Sequence, residues 1–157
     1  MTRHATKVIF FACVVASVLA WPILSFSGFC FAQKRFMSDD EYVAAAIRQI
    51  MRQPLQAIVI RGAEEVGYKY VHPIPYRDVA DFRAANPDCC QFVGHNSGLQ
   101  DGHVYVWDQL QGRAARSVYL KYTINYLDDQ GQRQSALLEA ELAIGNCGQI
   151  LNAIGRQ

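Results

Sequence analysis

SVYLKYTINYLDDQGQRQSALLEAELAI, residues Ser117 to Ile144, is two alternating runs around a turn. Val118, Leu120, Tyr122, Ile124 and Tyr126 share one parity, and Tyr119, Lys121, Thr123 and Asn125 the other. Successive side chains of a strand point to opposite faces, so this predicts a half-buried antiparallel strand. Asp128-Asp129-Gln130-Gly131 has turn chemistry, and Leu138, Ala140, Leu142 and Ile144 then alternate with Glu139 and Glu141. Val104-Tyr105-Val106-Trp107 opens an earlier strand, which makes a three-stranded meander.

A sheet with one apolar face needs a cover, and the sequence upstream supplies one. Ser38-Asp39-Asp40-Glu41 is a capping box: the Ser38 hydroxyl accepts from the Glu41 N–H, and the Glu41 carboxylate accepts from the Ser38 N–H. Val43, Ile47, Ile50 and Met51 fall on one face of the helix that follows, and Pro54 marks its end. A second, short helix is expected from about Arg77 to Ala85, with Val79 and Phe82 inward and Asn86-Pro87 as its stop. Leu55 to Ile74 is ambiguous, with Tyr68 to His72 a candidate short strand. The terminal segment from Gln149 places Ile150, Leu151 and Ile154 at helical spacing. The fold class is therefore α+β, a long amphipathic helix packed on a curved antiparallel sheet. This order of elements resembles cystatin-like and nuclear-transport-factor-2-like (NTF2-like) folds, whose members bind, dimerise or catalyse, so the resemblance implies architecture and not activity.

Val8 to Ala32, VIFFACVVASVLAWPILSFSGFCFA, carries no charge and is long enough, as a helix, to cross a hydrocarbon core of about 30 Å. Residues 1–33 are thus expected to be a signal peptide or membrane anchor, and residues 34–157 an exported domain. Arg3 and Lys7 supply a basic start, and Cys30-Phe31-Ala32 a poor match to a small-residue cleavage site. The expected location is the periplasm or cell exterior, either anchored to the membrane or secreted after cleavage. The net charge of +1 is spread without a basic run, which argues against nucleic acid as a partner.

The exported part contains Cys89, Cys90 and Cys147, with Cys30 inside the apolar run. In an oxidising compartment the expected staple joins Cys89 or Cys90 to Cys147, and the chain-entropy account gives a loop of that size roughly 4 kcal/mol. A vicinal Cys89–Cys90 bridge is the strained alternative. Zinc on Cys89, Cys90, His95, His103 and Cys147 lacks the usual C-x2-4-C spacing, and no C-x-x-C redox pair occurs, so neither a metal nor a cofactor is expected. The segment Gly94 to His103 holds His95, Ser97, Asp101 and His103 but misses a nucleophile elbow by one place, so no catalytic residue is assigned. His95, Asp101, His103 and Trp107 remain candidates for a ligand or hydrolytic site on the concave sheet face. The leading expectation is a non-enzymatic accessory domain acting through contacts with a protein partner or a second copy.

Overall fold

The computed structural model describes residues 2–61, 66–95 and 116–156. The chain enters through α1 (Thr2–Ser27) and a short hairpin of β1 (Phe29–Cys30) and β2 (Arg35–Phe36). It continues through α2 (Asp39–Met51), the hairpin β3 (Gln56–Arg61) and β4 (Val66–Val71), and α3 (Val79–Ala85). The last four strands, β5 (Gln91–His95), β6 (Arg116–Leu127), β7 (Arg133–Ile144) and β8 (Ile150–Arg156), form one antiparallel sheet in sequence order. The fold is α+β, as the patterning predicts.

β6 and β7 pair without interruption from Arg116↔Ile144 to Leu127↔Arg133. Their inward face buries Val118, Leu120, Tyr122 and Ile124 from one strand and Leu138, Ala140, Leu142 and Ile144 from the other. α2 covers that face with Tyr42, Val43, Ala45, Ala46, Ile47 and Ile50. The helix starts where the capping box places it, with Ser38 as N-cap and both reciprocal hydrogen bonds formed. α3 is capped by Asp78 and ends at Asn86, and its single fully buried side chain is Phe82.

Beyond β5, which pairs only with Arg116 to Tyr119, the open edge of β6 is satisfied by other means. The Thr123 N–H donates to Asn86 Oδ1 at 2.7 Å, the Tyr76 hydroxyl donates to the Thr123 carbonyl, and the Ile74 N–H donates to the Asn125 carbonyl at 2.6 Å. An exposed row of strand donors and acceptors is a template for aggregation, and the Pro73–Tyr76 segment and the end of α3 remove it here.

Two expectations are corrected. The segment from Gln149 is not a helix: Ile150–Arg156 is β8, because the edge of β7 offers it a ladder from Ile144↔Ile150 to Glu139↔Arg156 that outweighs a local apolar spacing. Gln91–His95, which carries no strand pattern of its own, is β5. The staple expected between Cys147 and Cys89 or Cys90 is absent: Cys147 is bonded to Cys30, and Cys89 to Cys90. Register explains it. Cys90 precedes Gln91, which is level with Tyr119, whereas Cys147 lies past Ile144, level with Arg116. The two thiols therefore sit on strands two places apart and at levels offset by several residues, well beyond the roughly 7 Å between Cα atoms that a bridge spans. The strand expected at Val104–Trp107 lies outside the described residues.

The Cys30–Cys147 bridge brings the end of α1 to the β7–β8 turn. Gly28 (φ +93°) sits beside it, and a Cβ there would lie 2.1 Å from the Arg116 guanidinium, so this backbone and the buried arginine are packed against each other. Among the described residues no helix is long and apolar enough to cross a membrane. In α1 the continuous run of described side chains, residues 9–21, covers about 20 Å, and it exposes Phe10, Phe11, Val18 and Leu19.

At the start of α2, Glu41 accepts from Arg35 at 2.8 and 2.5 Å and from the Ser38 N–H at 2.9 Å. The Arg35 guanidinium, and then the Ser38 N–H, hold its carboxyl down at about 2. A depressed carboxylate stabilises the fold above its unfolded value of about 4.5, and loses that contribution as pH falls toward 2. Melting temperatures of the wild type and Glu41→Gln should therefore differ near neutral pH and converge as the pH is lowered through this window. A gap of constant size over the same range would show that the ionised carboxylate contributes nothing.

Candidate functional site

Of the residues the sequence offers for chemistry, those that are described do not assemble into a site. His95 ends β5 with its backbone paired to Arg116, while Asp101, His103 and Trp107 lie outside the described residues. Cys89 and Cys90 are half-buried against the core, joined to each other, and Cys90 takes a left-handed backbone (φ +79°). Cys13, exposed on α1, is the one free thiol among the described residues. No group of three or more His, Cys, Asp or Glu side chains among those residues is placed to hold a metal ion.

Two other features are formed. The first is a recess of about 150 Å³ between the C-terminal end of α2 and the sheet, lined by Ile50, Met51, Pro54, Pro73, Tyr122 and Ile124 among others. Its polar floor is internally satisfied: the Tyr122 hydroxyl donates to Gln56 Oε1 at 3.1 Å, and Gln56 Nε2 donates to Gln53 Oε1 at 2.8 Å. Burial raises the Tyr122 pKa, which keeps the phenol protonated. The recess can accept a small apolar group, and its walls offer neither a nucleophile nor a proton-transfer group poised near neutral pH.

The second feature is the outer face of the β3–β4 hairpin. Gln56 and Ile58 from β3 and Val71 from β4 turn inward and are buried. The opposite parity pairs Val59 with Tyr68 and Ala57 with Tyr70, and both tyrosines are about two-thirds exposed, at 66% and 69%. Lys69, between them, reaches Asp129 in the β6–β7 turn at 2.6 Å and braces the hairpin against the sheet. Two rigid aromatic side chains on a braced strand provide amphipathic contact area at low conformational-entropy cost. Sequence reading missed this pair, although the Tyr68-x-Tyr70 spacing was its signal.

Compared with known protein families, curated proteins and solved structures, the chain matches none of them.

Proposed function

We propose that the chain is a membrane-tethered domain, facing an oxidising compartment outside the cytoplasm, that acts through protein contacts and not through catalysis. The observation that carries this reading is the Cys30–Cys147 bridge. A disulfide of this kind is formed and kept where the surroundings are oxidising. It also requires Cys30 to stay with the folded domain, whereas cleavage after Ala32 would sever that residue from the chain, and lipidation of Cys30 would consume its thiol. The uncharged run from Val8 to Ala32 supports the tether, since α1 exposes apolar side chains that no other described residue covers. Cys30 lies three residues beyond Ser27, so a tether built this way holds the domain on a short leash.

The exposed Tyr68 and Tyr70 support contact with a protein partner or a second copy. The helix-then-sheet order, in which the chain resembles cystatin-like and NTF2-like folds, is compatible with binding or dimerising roles. A second reading, a binder of a small apolar ligand, rests on the recess at the end of α2; a hydrolytic form would use His95, Asp101 or His103 on the concave sheet face instead.

The test has two arms. Intact mass of the protein from the membrane fraction, with and without reductant, should show an uncleaved N-terminus and the hydrogen uptake of two disulfides. A photo-crosslinking residue at Tyr68 or Tyr70 in intact cells should capture a discrete partner that the same residue at Arg133 does not. A mature chain starting at Gln33 in the soluble fraction would sink the tether, and equal or absent crosslinking at all three positions would sink the contact surface.

A further inference from the structure

Beside the stapled end of α1 lies a second recess, of about 300 Å³, lined by Gln33, Arg35, Arg48, Gln49, Arg52 and Cys147 among others. Arg48, in the last turn of α2, and Arg52, its C-cap, are one turn apart, and like charges at that spacing repel. The acidic groups that could neutralise the recess are engaged: Glu41 holds Arg35 with two hydrogen bonds, and Asp40 holds Arg83 at 2.7 Å. No ion pair joins Arg48 or Arg52 to another group among the described residues. The helix dipole favours cations near a helix C-terminus, which accounts for charge in this turn. It does not account for Arg48 and Arg52 lining one hollow whose acids, Asp40 and Glu41, are already engaged with Arg83 and Arg35.

Two guanidinium-bearing residues lining an open hollow suit a phosphate, whose oxygens accept from their fixed fork of donors. The position of the hollow selects the kind of phosphate. Gln33 and Arg35 belong to the segment that leaves α1, and Cys147 is bonded to Cys30, so the recess opens beside the point where a tether would emerge from a bilayer. We infer that the recess formed by Arg48, Arg52 and Gln49 binds the phosphate of an anionic phospholipid headgroup and orients the domain against the membrane surface. This rests on the tethered reading proposed above.

The test uses the full chain in non-ionic detergent micelles, incubated with phosphatidylglycerol and phosphatidylcholine in equal amounts and examined by native mass spectrometry. The wild type should retain phosphatidylglycerol selectively. Arg48→Gln combined with Arg52→Gln should reduce that adduct by at least about tenfold, the loss expected for charge-assisted hydrogen bonds. The charge-keeping pair Arg48→Lys and Arg52→Lys should retain part of it, and a remote pair, Arg77→Gln with Arg133→Gln, should leave it unchanged. Equal lipid retention by the wild type and the glutamine pair overturns the proposal, and so does equal loss in the remote pair, which would mean that only net charge matters. Displacement of the lipid by millimolar glycerol phosphate would assign the recess to a soluble phosphate and overturn the lipid assignment. Because the protein stays in micelles throughout, failure of this site is read separately from failure of the tether, which is read by fractionation and intact mass.

Discussion

Replacing Cys147 with serine should cost the domain roughly 4–5 kcal/mol and lower its melting temperature by something on the order of 15 °C. The bridge spans a sequence separation of 117 residues, and on the chain-entropy account a closed loop of that size constrains the unfolded state by this amount. Cys30→Ser should match it, and the double variant should add little, because each single change already opens the loop. Cys89→Ser and Cys90→Ser should cost much less, since a bridge between neighbours closes no long loop. Thermal melts of the four single variants, with and without reductant, decide the matter. A near-wild-type Cys30→Ser beside a severely destabilised Cys89→Ser or Cys90→Ser would restore the pairing that the sequence alone suggests and reject the one described here.

The contrast between these two pairings shows where sequence reading stops. The start of α2 was legible because a capping box is local, with Ser38 and Glu41 satisfying each other's backbone groups within one turn. β6 and β7 were legible because a period of two maintained over twelve residues leaves one face nowhere to go but inward. β5 was not, since Gln91–His95 offers only Phe92 and Val93 as strand formers, and pairing with Arg116 to Tyr119 imposes its conformation. Cys30 was hidden by its setting: inside an uncharged run it reads as anchor or cleavage site, and only the return of the β7–β8 turn to the end of α1 gives it a partner. The recess below α2 draws on residues 50–56, 73–76, 82 and 122–124, segments that no local pattern connects. The outward direction of Tyr68 and Tyr70 likewise depends on which hairpin face Gln56, Ile58 and Val71 bury.

Phe82→Ala should destabilise the domain by about 3–5 kcal/mol, a large share of the 5–15 kcal/mol typical of a whole domain. Phe82 is fully buried, packs edge-on to Tyr76 with ring centroids 5.0 Å apart, and lies 5.7 Å from the Tyr122 ring. α3 has only seven residues, far too few for a helix to persist unaided, and Phe82 is its one fully buried side chain. Losing that ring should loosen the helix as well as open a cavity. Asn86 depends on the same anchor, since its Nδ2 donates to the Phe82 carbonyl at 2.9 Å while its Oδ1 accepts from the Thr123 N–H. Displacing Asn86 would leave a partly buried backbone donor of β6 without its partner, a cost added to the cavity. Phe82→Leu should keep most of the stability, and Asn86→Ala should cost less in the Phe82→Ala background than in the wild type, because the first change has already released the second residue. Urea denaturation of the wild type and these four variants measures both effects, with an unchanged m-value as the check that the denatured state is the same. Strict additivity of the two changes would show that Asn86 holds β6 independently of Phe82, and a Phe82→Ala cost below about 1 kcal/mol would show that α3 is held by contacts other than this ring.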